Sequence, residues 1–199
     1  MYTVERFSEN PLVHPELAAR IGTNINGPSL IRAPEWAPAP LGRYYLYFAH
    51  HQGAFIRLAA ADRVRGPWRV YEGEVLRLGD TGCRGHIASP DVHVLESERR
   101  IVLYFHGCTA HGQRTFRAVS TDGLRFRAST EVLGPFYFRV FRHAGAWFAI
   151  AKVTDAPGGG VVLRSPDGIA PFERGPEILP GQRHVAVRKK GRLLHVFYS

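Results

Sequence analysis

The residues of this chain able to do chemistry are histidines in unusual number, a single aspartate set between proline and valine, and arginines on short strand-like runs. Asp91 stands in Ser89-Pro90-Asp91-Val92-His93, and His184 in Gln182-Arg183-His184-Val185. Imidazole moves protons near neutral pH, and Asp91 is a candidate catalytic carboxylate. A carboxylate at that position has a second reading, as a buried group satisfied by backbone amides, because an unpaired buried charge is costly. His86 and His93 flank Asp91, His50 and His51 follow an apolar strand, and His106 follows the corresponding strand further on. With Asn26, Arg57 and Arg139 they form the candidate set for binding a polar substrate.

Spacing limits what these groups can hold. Asp91 and His93 lie two apart, on one face of a strand, which suits a ligand pair. A zinc site needs three or four ligands held tetrahedrally, and no His-x-His or His-x-x-x-His pair with a following carboxylate is present. No metal is therefore expected from spacing. Cys83 and Cys108 are the two cysteines, too few for a disulfide framework.

The elements that must position these groups recur along the chain. Gly42-Arg43-Tyr44-Tyr45-Leu46-Tyr47-Phe48 leads to Gly66-Pro67-Trp68, and Arg100-Ile101-Val102-Leu103-Tyr104-Phe105 leads to Asp122-Gly123-Leu124-Arg125-Phe126. A third copy runs from Gly145-Ala146-Trp147-Phe148 to Asp167-Gly168 and Phe172, and a fourth opens at Gly191-Arg192-Leu193-Leu194. About four short strands per unit, with regular turns and no helical period, predict an all-β fold, a β-propeller. One domain over 1–199 is expected, with blades near 24–80, 84–134, 135–180 and 181–199, so that about three are complete and the last is partial. Tyr47, Tyr104 and Ile150 take equivalent places.

Within that repeat several residues read as structural. Asp122 and Asp167 precede glycine after Ser120 and Ser165, the chemistry of a tight turn. Tyr44, Tyr45, Tyr47, Trp68 and Trp147 read as blade-packing aromatics. Trp36, in the Pro- and Ala-rich stretch 33–41, is the better candidate for stacking on a ligand. First strands of propeller blades line the axis, and here the unit beginnings are polar: Asn24-Ile25-Asn26-Gly27, His86-Ile87-Ala88-Ser89, Phe136-Tyr137-Phe138-Arg139 and Gln182-Arg183-His184.

The combination Gly27-Pro28-Ser29-Leu30-Ile31, Ala59-Ala60-Ala61-Asp62 with Gly66-Pro67-Trp68, and Ser89-Pro90-Asp91-Val92-His93 resembles the five-bladed propeller glycosidases, glycoside hydrolase family 43 and its relatives. The resemblance implies a five-bladed fold, a carbohydrate ligand in a pocket on the axis and inverting hydrolysis by an Asp base and a Glu acid. It also admits an axial calcium ion. Carried over residue by residue, the family's first-blade Asp falls at Gly27, beside Asn26. Its third-blade Asp falls near Phe136 or Tyr137, and its Glu near 182–184. Only Asp91 keeps its family identity, as a pocket residue; relatives with a histidine acid bring in His184. The expected function is thus hydrolysis or binding of a carbohydrate, with a non-catalytic binding or protein-interaction propeller as the alternative.

Bulk composition narrows the partners. The formal charge is +9, but only Lys152, Lys189 and Lys190 among 26 basic residues are lysines, and the arginines are dispersed along the chain. Nucleic acid recognition favours clustered positive charge, so none is expected. No apolar run approaches the ~20 residues of a membrane helix, and no basic segment followed by an apolar run opens the chain. A soluble cytoplasmic protein is expected on that basis.

Overall fold

The computed structural model describes residues 3, 5–153 and 158–199. Aromatic and β-branched residues alternating along short runs produce four antiparallel sheets. The first contains β1 (Asn26–Arg32), β2 (Tyr44–Ala49), β3 (Phe55–Ala61) and β4 (Arg69–Val70) in that order, with β5 (Leu76–Arg77) also on β3. The second runs β6 (Arg84–Leu95), β7 (Arg100–Thr109), β8 (Gly112–Ser120), β9 (Arg127–Ala128). The third runs β10 (Arg139–His143), β11 (Ala146–Val153), β12 (Gly159–Ser165), β13 (Glu173–Ile178), and the fourth pairs β14 (Val185–Lys190) with β15 (Leu193–Tyr198). This is the all-β propeller arrangement expected from the repeat.

Each strand sends alternate side chains to opposite faces, so a middle sheet is apolar on both. On β7, Ile101, Leu103 and Phe105 pack with Tyr45, Tyr47, Ile56 and Leu58 of the first sheet. Val102 and Tyr104 face the third sheet, meeting Phe138, Val140, Trp147 and Phe172. The remaining face of the first sheet is covered from the N-terminal segment, where Ile21 is fully buried with Phe48, Ala59, Ala61 and Trp68.

Ser29 pairs with Tyr47, Asp91 with Tyr104 and Arg139 with Ile150, so the equivalence of Tyr47, Tyr104 and Ile150 holds in the strand register. The two tyrosines use that position alike. Tyr47 Oη donates to the carbonyl of Gly123, 2.9 Å away in the next sheet, and Tyr104 Oη donates to that of Gly168 at 3.0 Å. Both glycines sit in turns built as their sequence predicts: Asp122 Oδ1 accepts from the amides of Leu124 and Arg125, and Asp167 Oδ1 from those of Ile169 and Ala170. Their φ values, 75° and 74°, favour glycine, and an added Cβ would lie 2.7 or 2.8 Å from the tyrosine oxygen.

β6 runs from Arg84 to Leu95 by absorbing two register shifts. Trp36, the stacking candidate, donates its indole N–H to Glu96 at 2.7 Å in the loop joining β1 to β2.

Tyr47→Phe and Tyr104→Phe each remove one bond to a buried turn carbonyl while keeping ring packing. Each is expected to lower stability by about 1–2 kcal/mol. Urea unfolding checks this, with an unchanged denaturant slope showing that the folded state is otherwise intact.

Candidate functional site

The site begins with a backbone feature shared by three first strands. Gly27 has φ 60°, Ser89 φ 50° and Tyr137 φ 60°, each two residues before the equivalent positions Ser29, Asp91 and Arg139. The ladder slips at this point in β1, between Asn26 and Ser29, and in β6, between Ala88 and Asp91. A bulge of this kind bends the strand and re-aims the neighbouring side chain. A Cβ at Gly27 would lie 2.9 Å from the Ser89 Cα, so the close approach of the first two sheets also requires glycine there.

The residues following these bulges fasten the first strands to one another. Ser29 Oγ accepts from the amide of Val92 at 2.9 Å, and Asp91 Oδ2 accepts from the amide of Val140 at 2.7 Å. These are the same bond one sheet apart. Arg139 reaches backwards, donating from Nη1 to the carbonyls of Pro90 at 3.0 Å and Phe138 at 3.3 Å. Asp91 Oδ2 also meets His93 Nε2 at 3.0 Å, so the pair on one strand face forms as the spacing predicts. Burial opposes ionisation of Asp91, but the His93 imidazole, the Arg139 charge and the Val140 amide outweigh it and hold the carboxyl below its usual range.

In front of this framework a cleft of about 970 Å³ takes side chains from all four sheets. Four rings run across it. His86 meets His106 edge-on at 5.7 Å, His106 meets Tyr137 at 4.8 Å, and Tyr137 lies 4.8 Å from His184. His106 is 3% exposed, and its Nδ1 is buried with no hydrogen-bond partner among the described residues. Burial, reinforced by the neighbouring His86 and Arg139, pushes its pKa down to about 3, so it is neutral at pH 7. Burial also lowers His86, with His51 adding to the effect, and lowers His184, with Arg183, Arg139 and Lys152 adding to it. His86 is further contacted by Cys108, whose Sγ lies 3.4 Å from Nδ1.

Of the residues singled out from sequence, Asn26, His51, His86, His106, Arg139 and His184 line the cleft. Asp91, His93, His50 and Arg57 are outside its lining. Asp91, 9% exposed, holds the second and third sheets together. His93 packs edge-on against Tyr104 and Trp147 between those sheets. His50 is engaged locally with the carbonyl of His51. Arg57, 4% exposed, lies over the Phe48 ring at 5.0 Å and donates from Nη2 to the carbonyl of Asn24. Tyr137, Ser89 and Arg183, which belong to the polar strand beginnings, also line the cleft, and Gln113 joins them without having been named. Tyr137 and Ser89 carried a signal that only the backbone reveals, a left-handed conformation rare for residues other than glycine.

The cleft does not suit a calcium ion, which takes six to eight oxygens, carboxylates prominent among them. None of the described residues lining it is Asp or Glu. Among the described residues no group of three or more His, Cys, Asp or Glu is placed to hold a metal. No described helix is long and apolar enough to cross a membrane.

No family model matches the chain. The curated uncharacterized protein R118 of Acanthamoeba polyphaga mimivirus is 29% identical over 196 residues, covering 86% of this chain and 53% of that protein. Among solved structures, a family 43 α-L-arabinofuranosidase from Clostridium thermocellum superposes with a TM-score of 0.70 at 16% identity, covering 88% of this chain and 61% of that one. A family 43 arabinoxylan arabinofuranohydrolase from Bacillus subtilis, in complex with cellotetraose, gives a TM-score of 0.66 at 19% identity, covering 86% and 42%. The fold is that of the propeller glycosidases. This chain spans about half the length of its curated relative and 61% or less of these two propeller glycosidase structures.

Two predictions follow from the residues of this propeller. Asp91→Ala leaves the Val140 amide without its acceptor and is expected to cost about 3 kcal/mol, while Asp91→Asn, which keeps an oxygen there, costs about 1 kcal/mol. Denaturant unfolding of the two variants measures that order. His106 is held below its unfolded value of 6.5, so its contribution to stability is complete above that pH and is lost as pH falls toward about 3. The chain is expected to lose about 2 kcal/mol from this group between pH 7 and pH 5, and His106→Asn to flatten the profile measured by urea unfolding at both pH values.

Proposed function

We propose that this glycoside hydrolase-like propeller binds a saccharide in its axial cleft and holds it without the two-carboxylate chemistry of inverting hydrolases. The observation that carries this reading is the lining itself. Tyr137 offers a ring face, Asn26, Gln113 and Ser89 offer donors and acceptors, and His51, His86, His106 and His184 offer imidazole nitrogens suited to sugar hydroxyls. The bound cellotetraose of the Bacillus subtilis neighbour supports carbohydrate as the ligand class on this fold.

Inverting hydrolysis needs two carboxyl groups about 6.5–9.5 Å apart facing the scissile bond. The described cleft lining supplies neither, and Asp91 is engaged between sheets. His184 remains as a proton-transfer group. Burial, with Arg183, Arg139 and Lys152 adding to it, lowers its pKa and disfavours the protonated form that a general acid needs. In this reading His184 and Tyr137 contact the sugar, and Arg139 and Asp91 position the wall around it.

Isothermal titration against neutral and acidic oligosaccharides, run beside release of nitrophenol from aryl glycosides, tests the proposal. Binding without turnover is expected, weakened about tenfold or more by Tyr137→Ala and by His184→Ala. Turnover that disappears in His184→Ala would establish a hydrolase instead, and absence of any oligosaccharide binding would sink the reading.

A further inference from the structure

The charge around the cleft is one-sided. Arg139 and Arg183 line it, while the buried Arg57 guanidinium lies behind the lining, bonded to the carbonyl of Asn24. Asp91, the carboxylate that the Arg139 charge acts upon, already accepts from His93 and Val140. Arg139 is held by Nη1 alone, so the rest of its fork stays free of described partners. Arg57 is nearly fully buried, its Nε unpaired among described residues. Burial lowers the pKa of His106 and His184, with Arg139 adding to it at both and Arg183 and Lys152 at His184.

A guanidinium fixed by backbone carbonyls with free N–H groups is preorganised for a planar or tetrahedral anion. A cleft whose described walls carry guanidinium cations and no Asp or Glu side chain repels cationic ligands and favours anionic ones. We infer that the saccharide taken by this cleft is an anionic one, bearing carboxylate or sulfate groups. The inference rests on the reading of the cleft as a saccharide site.

The test compares galacturonate and mannuronate tetramers with galactose and mannose tetramers, and adds a sulfated galactose tetramer, by titration calorimetry at about 25 mM and about 300 mM salt. An anionic tetramer is expected to bind about tenfold or more tighter than its neutral counterpart at low salt, with the advantage shrinking at high salt. The carboxylated and sulfated arms tell which group the arginines take. Arg183→Gln, at an exposed position in the cleft, is expected to reduce that preference about threefold or more, at an unchanged melting temperature. Arg164→Gln, exposed on β12 and outside the cleft, serves as the control for the general positive charge. Equal affinity for charged and neutral tetramers overturns the anionic preference while leaving the saccharide site standing. Equal losses in the two arginine variants overturn it too, because the attraction would then be unspecific. If no tetramer binds, the saccharide site itself fails.

Discussion

Every group in the cleft depends on how one first strand is fastened to the next. Stacked sheets bury apolar faces against each other, but apolar contact is non-directional and does not fix rotation about the axis. The directional element is a side-chain oxygen on one first strand accepting the backbone amide of the next: Ser29 to Val92, then Asp91 to Val140. On the neighbouring second strands, Tyr47 and Tyr104, opposite Ser29 and Asp91 in register, reach with their hydroxyls the turn carbonyls of Gly123 and Gly168. Two bonds at separate points along each interface hold neighbouring sheets in one orientation. The third copy carries Arg139 and Ile150 at these places, and its arginine reaches back to Pro90 instead.

This arrangement explains why the most conspicuous acid of the chain is not where chemistry would want it. A carboxylate at Asp91 is stabilised by an amide, an imidazole and a guanidinium, which keeps it ionised despite burial and makes it a strong tie. The same partners satisfy it and remove it from the cleft lining. What remains there is a run of rings, His86, His106, Tyr137 and His184, spanning three sheets, with cations nearby. His106 is the extreme case, an imidazole kept neutral by burial with one nitrogen unpaired among the described residues. A buried unpaired nitrogen of that kind is destabilising by itself.

Much of the fold was legible in the residues. The recurring aromatic strands, the Ser-x-Asp-Gly turns at 120–123 and 165–168 and the matched places of Tyr47, Tyr104 and Ile150 are all found as read, because period-two burial and turn chemistry are local properties. Part of the site was legible as well: polar residues at strand beginnings pointed to Asn26, His86, Arg139 and His184. Tyr137 and Ser89 lay within those beginnings, but their left-handed backbone at non-glycine residues leaves no mark in composition. Arg57 and His93 lie outside the cleft because alternation tells that two faces exist without telling which one meets a neighbouring sheet.

The sequence by itself determined an all-β repeat, its turns and the strand beginnings that carry polar groups. Only the tertiary structure decided the use made of each polar group. Asp91 became a tie between sheets and His106 a buried neutral ring, since both outcomes depend on residues 49 positions away or more, such as Val140 and His184, brought close when the sheets stack. Charge, burial and partner are set by that stacking, and no local pattern encodes them.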